Sequence, residues 1–379
     1  MWRIQLFKLN YDTRESRAVQ EVIESGWITM GERTRTFETR FADAHDGVHA
    51  TAVSSATAAL HISLLALGIK EGDEVIIPAL TFVADINVVR MVGATPVLAD
   101  SESDDDWNIS ARTIEPLITP RTKAVIVVHF AGYPAQMDEI VALCDAKGIA
   151  LIEDCAHAPG ARYKGRSVGT FGAYGCFSFF TNKNLSVGEG GMLTTRDPAR
   201  DRQAKYLRSH GMTALTLDRH KGRAITYDVV RSGLNYRIDE MRSALGLVQL
   251  AKLPDANQAR KALVERYRER LSGVRGVSVP FRDLEHLEPV YHIMPILLDK
   301  AIDRIALIEK LKEDGIQSSI HYPAFKEFSA FQRLGLNDAP IAEAIAKREL
   351  TLPLYPTMSV EEVDIVCNSL IKALGDVLS

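Results

Sequence analysis

Residues 123–154, KAVIVVHFAGYPAQMDEIVALCDAKGIALIED, contain the pattern that decides the fold. An apolar run at 123–128 is followed by a helical pattern at 137–147 and then by a second apolar run at 149–154. The same alternation runs through the chain up to about residue 195. Continuous Val, Ile and Leu runs separated by helical patterns are typical of parallel strands that helices cover on both faces. The sequence therefore predicts an α/β fold with a mostly parallel sheet, and a mixed α+β core is the alternative.

The second half of the chain has a different organisation. A polar, irregular stretch at 212–231 precedes a long helical pattern at 239–271, which Pro254 could interrupt. Shorter apolar and helical segments then follow to the end of the chain. We therefore predict a large domain at 1–250, which includes the N-terminal segment, and a smaller α+β domain at 251–379, joined to it by the long helix.

Composition excludes several classes of protein. Of the 379 residues, 46% are hydrophobic and 25% charged, and the net charge of −4 comes without a basic run. These values are ordinary for a globular protein and provide no general attraction to nucleic acid or to an anionic membrane. No apolar stretch approaches the roughly 20 residues of a membrane helix, and the N-terminus has no signal-peptide core. Because the four cysteines lack CxxC spacing, we expect reduced thiols in a cytoplasmic protein with no nucleic-acid or membrane partner.

Two residues that follow predicted strands could carry chemistry. Asp154 closes the apolar run at 149–154, and open α/β sheets bind ligands outside the carboxyl ends of their strands. Lys183 follows an apolar run at 175–180 and precedes the glycine-rich segment GEGG. A lysine that emerges from apolar sequence can lose its proton near neutral pH and act as an amine nucleophile. The alternatives are that Asp154 only caps a helix and that Lys183 is a solvated surface residue.

A third feature is the turn Ser54-Ser55-Ala56-Thr57, which opens a helix directly after a predicted strand. Backbone amides at a helix N-terminus favour a phosphate, and the Ser and Thr hydroxyls add donors. Phe82 also follows a strand end and could lie over a flat ring. The alternatives are a simple helix cap for the turn and a core position for Phe82.

Taken together, these groups match one ligand. They would bind an anionic phosphate, a flat aromatic ring, a ring nitrogen that needs a carboxylate and an aldehyde that needs a lysine, and pyridoxal 5′-phosphate (PLP) has all four. A NAD site would require G-x-G-x-x-G and a P-loop would require G-x-x-x-x-G-K-[ST], and the sequence has neither. His157, His210 and His321 are widely scattered, so no metal site is predicted.

Motifs over nearly the whole length carry a resemblance to a known family. The chain resembles the DegT/StrS-like nucleotide-sugar aminotransferases, which have the fold-type I architecture of aspartate aminotransferase. That resemblance implies a large PLP-binding domain and a smaller C-terminal α+β domain. The matching motifs are SGWITMG (25–31), VSSATAALH (53–61), PALTFVADIN (78–87), IEDCAHAPGARY (152–163), FSFFTNKNLSVGEGGM (177–192), GLNYRIDEMRSALGLVQL (233–250), IHYP (320–323) and LPLYP (352–356).

The resemblance implies a role for each residue of the expected PLP site. Lys183 would carry the cofactor as a Schiff base, Asp154 would pair with the protonated pyridine nitrogen, and His157 would lie beside the phenolic oxygen. Phe82 would stack on the ring. Asn235 would reach the phosphate from the partner subunit, so the resemblance also implies a homodimer. The phosphate would otherwise be bound by Ser55, Ala56, Thr57 and Ser178, with Ala56 replacing the Gly of many relatives.

The implied activity is transfer of an amino group from an amino acid, with L-glutamate as the expected donor, to a keto sugar linked to a nucleotide. Some relatives with His at position 183 are dehydratases, and the Lys here favours transamination. Alternatives are a keto-cyclitol (aminocyclitol) aminotransferase, a PLP-binding regulator that does not turn over, and an interaction protein that only inherits the scaffold. Candidate contacts for the acceptor are Arg208, His321, Tyr322 and the stretch 212–231.

Overall fold

The computed structural model describes residues 2–214, 220–222 and 225–378, so parts of the irregular stretch at 212–231 lie outside the described residues. The described strands, in chain order, are β1 (His49–Val53), β2 (Glu74–Pro78), β3 (Thr95–Ala99), β4 (Thr122–Val128), β5 (Ala150–Asp154), β6 (Arg162–Tyr163), β7 (Arg166–Ser167), β8 (Tyr174–Ser178), β9 (Gly191–Thr195), β10 (Val277–Ser278), β11 (Leu287–Glu288), β12 (Met294–Leu298) and β13 (Glu349–Leu352). The described α-helices are α1 (Thr13–Ser25), α2 (Glu32–Ala44), α3 (Ala56–Ala66), α4 (Val83–Met91), α5 (Ala111–Ile114), α6 (Met137–Lys147), α7 (Pro198–Arg208), α8 (Glu240–Leu271), α9 (Arg304–Glu313), α10 (Pro340–Arg348) and α11 (Val360–Leu378).

The central element is a seven-stranded sheet with the strand order β1-β9-β8-β5-β4-β2-β3. Neighbouring strands from β8 to β3 are parallel, and β9 is antiparallel to both β1 and β8. The prediction of an α/β fold with a mostly parallel sheet is therefore confirmed. Strand β4 is buried at six of its seven positions, as expected for a strand that helices cover on both faces.

The strand order brings three predicted site residues to one edge of the sheet. Asp154 at the carboxyl end of β5 is paired in register with Cys176 of β8, so Ser178 lies just beyond it. The chain then leaves the sheet in the loop 179–190, which carries Lys183, and returns as β9. Because β9 runs antiparallel to β8, this loop stays at the edge where Asp154 ends its strand.

Helix α3 brings its N-terminus to the same edge of the sheet. Ser55 is its N-cap, and the Ser55 side chain accepts a hydrogen bond from the amide of Ala58, which satisfies one of the amides that lack a partner inside the helix. Leu60, Ile62 and Leu64 are each 0% exposed, so the helix is buried on several sides at once. This burial fixes the position of its first turn.

The C-terminal part contains a separate antiparallel sheet in the order β10-β12-β13. Helix α8 continues through Pro254 without a break, and the predicted boundary at residue 250 falls inside it. The N-terminal segment contacts the C-terminal part, since Ile4 forms a bridge with Ile316 and Leu6 accepts from the amide of Leu354. The division into domains at 1–250 and 251–379 stays a prediction.

Two further properties concern thiols and membranes. The four cysteines are free thiols, and all of them are buried. Within the described ranges, the structure has no helix with both the length and the apolar character needed to cross a bilayer.

Candidate active site

A cavity of about 410 Å³ opens at the edge of the sheet where β5 and β8 end. Its walls come from the first turn of α3, from the loop 179–190 and from a segment of the C-terminal part. The structure therefore brings together residues that lie more than 250 positions apart in the sequence. The predicted site residues that line the cavity are Ser55, Ala56, Thr57, Phe82, Asp154, His157, Ser178, Lys183, His321 and Tyr322.

Lys183 projects into this cavity from the loop after β8. Its backbone amide donates to the carbonyl of Phe180 at 2.9 Å, and its Nζ lies 3.4 Å from Nε2 of His292. Burial of the ammonium group lowers the pKa of Lys183 to about 8, against an opposing effect of the Asp154 carboxylate. A minor fraction of the lysine is therefore neutral at pH 7, and this fraction is the form that an amine nucleophile requires.

Asp154 and a second acid, Asp85, form a buried pair below the lysine. Oδ1 of Asp154 accepts from the amide of Ala156 at 2.8 Å, and Oδ2 of Asp85 accepts from the Thr81 hydroxyl at 2.6 Å. Burial raises the pKa of both carboxyl groups, and the neighbouring Asp154 raises the pKa of Asp85 further. Two acids this close in a dry site cannot both be ionised. The proton belongs on Asp85, because the Ala156 amide and the Lys183 ammonium favour ionised Asp154.

His157 is held in one tautomer by its two partners. Its Nδ1 accepts from the amide of Ala131 at 3.2 Å, so the ring proton is on Nε2, which lies 3.1 Å from the hydroxyl oxygen of Tyr322. Burial and the nearby Lys183 hold the pKa of His157 well below its ordinary value. The imidazole is therefore neutral and can donate a hydrogen bond from Nε2.

His321 and Tyr322 complete the wall from the C-terminal part. Nδ1 of His321 lies 2.8 Å from the hydroxyl of Thr351, and the His321 amide donates to Glu349 at 2.7 Å. Burial lowers the pKa of His321 to about 3, with a further contribution from Lys183. Burial also raises the pKa of the Tyr322 hydroxyl, so both groups are neutral at physiological pH.

The part of the cavity formed by the N-terminus of α3 has the features of an anion site. The amides of Ala56 and Thr57 begin α3 and have no acceptor within the helix, and the hydroxyl of Ser178 lines the same end. Gly191, the first residue of β9, approaches this turn closely. A Cβ atom at Gly191 would lie 2.5 Å from the carbonyl carbon of Ser55, so a larger residue there would displace the turn.

Phe82 belongs to the cavity and not to the core. Its side chain is 53% exposed, and its ring centroid lies 5.6 Å from that of Tyr322 at an interplanar angle of 51°. Phe82 directly precedes α4, at the carboxyl end of the connection from β2. An aromatic side chain left exposed at a cavity wall can stack on a planar ligand.

Two predicted residues do not line this cavity. Arg208 is 2% exposed, and its guanidinium donates to Glu38 at 2.5 Å and to the carbonyl of Ala52 at 2.7 Å. These contacts tie the end of α7 to β1, beside a different cavity. Asn235 is exposed and pairs with Ser209 in an isolated bridge, and it does not line the cavity of its own chain.

The structure adds two residues that sequence reasoning missed. Asp85 lies three positions after Phe82 in the motif PALTFVAD, so its place in the first turn of α4 could have indicated a second acid at the sheet edge. His292 precedes β12, and no local pattern points to it, because 109 residues separate it from Lys183.

A buried group of potential metal ligands lies on the other face of β5. The ligand atoms of His129, Glu153 and Cys155 fall within 4.8 Å of one another. Glu153 already accepts from the amides of Gly169, Phe171 and Gly172. Nδ1 of His129 accepts from the amide of Ala135, so its Nε2–H can donate to Glu153. Hydrogen bonds within the protein therefore account for the burial of Glu153 and His129.

The donor set of the cavity fits PLP. It combines a lysine with a lowered pKa, a buried carboxyl group, a neutral imidazole donor, an exposed aromatic ring and a helix N-terminus. The side-chain oxygen of Asn182 in the same wall is buried without a hydrogen-bond partner, which leaves an acceptor available to a ligand. The fold and this site define a PLP-dependent aminotransferase of fold type I.

Comparison with known proteins is consistent with this class and identifies the family. Residues 10–371 match the model of the DegT/DnrJ/EryC1/StrS aminotransferase family, and the chain belongs to that family. The aminotransferase TlmJ from Streptoalloteichus hindustanus is 32% identical with a TM-score of 0.91, and 100% of each chain is covered.

Two other solved structures are similar over almost the full length. One is the PLP form of a Streptococcus pneumoniae protein whose assigned role is that of a sugar aminotransferase, with 30% identity, a TM-score of 0.91 and 98% of each chain covered. The other is PseC of Helicobacter pylori, an aminotransferase involved in the biosynthesis of pseudoaminic acid. It has 28% identity and a TM-score of 0.91, over 98% of this chain and 99% of PseC. The predicted cofactor, PLP, and the predicted class, aminotransferase, are thus confirmed.

Proposed function

We propose that this enzyme transfers an amino group from an amino acid, with L-glutamate as the expected donor, to a keto sugar attached to a nucleoside diphosphate. The observation that carries the proposal is that Lys183 and Asp154 line the same cavity, together with the N-terminus of α3. The S. pneumoniae relative supports the acceptor class, since its assigned role is that of a sugar aminotransferase.

Each residue at the cofactor end would have a defined task. Bound PLP would supply an electron sink for negative charge on the substrate's Cα. Lys183 would bind the cofactor covalently and, when displaced by substrate, would accept and return a proton as base and acid. A pKa of about 8 suits both directions of that transfer. Asp154, kept ionised by the amide of Ala156, would hold the ring nitrogen in its protonated form.

The remaining wall residues would orient the cofactor. His157 has an Nε2 proton and would donate to the phenolic oxygen, while Phe82 would stack on one face of the ring. The phosphate would lie at the N-terminus of α3, where its negative charge is stabilised by unpaired amides and by the helix dipole. The groups proposed to bind it are Ser55, Ala56, Thr57 and Ser178.

His321 and Tyr322 would contact the acceptor, because they line the cavity from the C-terminal part of the chain. Both are neutral, which suits hydrogen bonds to sugar hydroxyl groups. Arg208 is left out of the proposed acceptor site, since Glu38 and the Ala52 carbonyl occupy its guanidinium. Of the stretch 212–231, residues 215–219 and 223–224 lie outside the described residues.

The test uses the PLP-loaded enzyme in two half-reactions. L-Glutamate alone should convert the cofactor to its amine form and release one equivalent of 2-oxoglutarate, followed by visible absorbance and by mass spectrometry. The amine form should then be discharged by nucleotide-linked keto sugars. Discharge only by keto-cyclitols would establish the cyclitol alternative. Absence of conversion by any amino acid would establish the non-catalytic regulator.

We further propose a homodimer in which Asn235 completes the phosphate site of the partner subunit. The exposure of Asn235, together with its absence from the lining of its own chain's cavity, supports this arrangement. The apolar side chains of Val229 and Val230, which precede Asn235 in the chain, are 53% and 50% exposed and would be covered in a dimer. Isologous pairing is the commonest oligomer symmetry.

Subunit mixing tests the shared site. Lys183→Ala and Asn235→Ala should each be folded and inactive alone. If Asn235 acts in the partner's site, a mixed dimer has one doubly altered site and one intact site, so part of the activity returns. If Asn235 acts in its own chain, every site carries one lesion and no activity returns. Absence of recovery, with subunit exchange shown by differently tagged chains, excludes the shared site.

A further inference from the structure

His292 lies directly beside the reactive lysine. Its Nε2 is 3.4 Å from Nζ of Lys183, and its side chain is 3% exposed. The residue comes from the turn before β12, so it approaches the lysine from the C-terminal part of the chain. Neither the motifs around Lys183 nor the proposed cofactor contacts account for a buried imidazole at this position.

The protonation of this imidazole follows from Asn184. The Asn184 side-chain amide donates from Nδ2 to the side-chain oxygen of Asn257 at 2.9 Å and to the carbonyl of Val290 at 2.8 Å. These two acceptors fix the orientation of the amide, so that Oδ1 faces Nδ1 of His292 at 3.1 Å. An amide oxygen only accepts hydrogen bonds. The proton of His292 is therefore on Nδ1, and the lone pair on Nε2 faces Lys183.

The other two imidazoles near the lysine are engaged elsewhere. His157 directs its Nε2 proton to Tyr322, and the Nδ1 of His321 is bonded to Thr351. Burial and the nearby Lys183 hold the pKa of His292 well below its ordinary value. It therefore stays an acceptor over the range in which the lysine titrates. Asn257 also donates to the carbonyl of Pro159 at 3.2 Å, so a chain of oriented amides leads from α8 to the lysine.

We propose that His292 is a positioning residue for Lys183: its Nε2 accepts a hydrogen bond from the ε-amino group, stabilises the ammonium form and directs the amine toward the cavity. The inference rests on the proposed role of Lys183 as the residue that binds PLP. An ammonium is a stronger donor than an amine, so an acceptor at this distance favours the protonated lysine. His292 would thereby offset part of the effect of burial.

The test measures how the rate of PLP attachment to the cofactor-free protein depends on pH. Only the neutral amine attacks the aldehyde, so the rate rises through the pKa of Lys183, and visible absorbance reports it. His292→Phe keeps a ring but removes the acceptor, and the inflection should move down by about one pH unit or more. His292→Gln retains an oxygen acceptor and should have an inflection closer to that of the parent protein. The other titratable or charged groups around the lysine and His292 stay the same in every variant: Asp85, Asp154, His157, Arg260, His321 and Tyr322.

One further variant serves as a control, and another tests the role of His292 independently. His45→Gln alters a buried histidine whose Nδ1 is bonded to the carbonyl of Phe41, remote from Lys183, and should leave the inflection unchanged. Asn184→Leu keeps the imidazole but removes the acceptor that orients it, so the inflection should also fall. This variant provides the test if His292→Phe does not fold.

The possible outcomes separate this inference from the proposed function. An unchanged inflection in the folded His292→Phe or Asn184→Leu protein would overturn the role of His292. Equal shifts in the Phe and Gln variants would overturn it as well, because the effect would then not depend on an acceptor. Covalent attachment of PLP to a Lys183→Ala protein would instead refute the assignment of the lysine itself.

Discussion

Glu153 and Asp154 are adjacent acids at the end of β5, and they have opposite surroundings. Successive side chains of a strand point to opposite faces, so Glu153 enters one face and Asp154 the other. Glu153 is 0% exposed and accepts from three backbone amides and from His129. Asp154 is 5% exposed and has one backbone donor, with Lys183 and Asp85 nearby.

The difference shows that burial of a charge does not by itself indicate a ligand site. The hydrogen bonds of Glu153 are made within the protein, and they tie β5 to the loop before β8. Asp154 retains capacity to accept a hydrogen bond on the side that faces the cavity. A carboxylate with unfilled capacity in a cavity is suited to a cationic ligand group. This contrast supports the proposed catalytic role of Asp154, whereas the hydrogen bonds of Glu153 stabilise the fold.

Substitution of Lys183 should have the largest effect on the face of β5 that carries Asp154. Lys183→Ala should abolish covalent PLP attachment and lower turnover by about 10⁴-fold or more, the upper end of what a general base contributes. The fold should survive, because the lysine contributes no core packing. Borohydride reduction followed by mass spectrometry measures the attachment. Lys164→Ala, which alters an exposed lysine, should retain both attachment and activity.

On the opposite face of β5, Glu153→Gln should lower the free energy of unfolding by about 2–5 kcal/mol. The amide of Gln cannot accept at both of its ends, and each buried donor left without a partner costs about 1–3 kcal/mol. Urea unfolding of the cofactor-free protein measures this loss, with Glu139→Gln on the exposed side of α6 as the control. Stability equal to that of the parent protein would contradict the structural role of Glu153.

The matched substitution at Asp154 should lower activity and leave stability nearly unchanged. Asp154→Asn should unfold at nearly the parent denaturant concentration but lose turnover by about 10- to 100-fold or more, because a charge-assisted contact to the ring nitrogen is worth about 1.5–3 kcal/mol. Single-turnover kinetics with L-glutamate measures the loss. If the variant turns over at the parent rate, another residue is the carboxylate partner.

Asp85→Asn tests how the buried acid pair makes the free energy of unfolding depend on pH. The pKa of Asp85 is raised above its ordinary value of 3.8, so in the parent protein the folded state retains a proton that the unfolded state loses. Stability must then fall as pH rises above about 4, by about 1.4 kcal/mol per pH unit for one proton, until the folded group also ionises. The amide introduced by this substitution would still accept from the Thr81 hydroxyl and would present an NH₂ donor to the neighbouring Asp154 without that titrating proton.

The variant should therefore show a smaller decline of unfolding free energy with pH and near-parent activity. Urea unfolding at pH 5, 6, 7 and 8 gives the two slopes. Equal slopes in the parent protein and the variant would show that Asp85 is already ionised in the folded state.

Local features of the sequence determined the architecture and most of the cavity lining. The apolar runs at 123–128 and 149–154 coincide with β4 and β5 to within one residue, because buried parallel strands need continuous apolar sequence. Strand ends are also local features, and the parallel arrangement brings them to one edge of the sheet. Asp154 and Phe82 could therefore be placed from the sequence. Lys183 could be placed because its loop connects two neighbouring strands.

Only the tertiary structure decided which of the remaining polar groups meet. The sequence makes Arg208 a candidate substrate contact, but the fold brings Glu38 and the Ala52 carbonyl to its guanidinium, and an ion pair across 170 residues has no local signature. His292 and Asn184 come together for the same reason, across 108 residues. Hydrophobic periodicity reports which side of an element is buried, but the partner of a buried polar group depends on how distant elements pack. The sequence therefore sufficed to identify the sheet edge and its cofactor, whereas packing determined which groups lie beside the lysine.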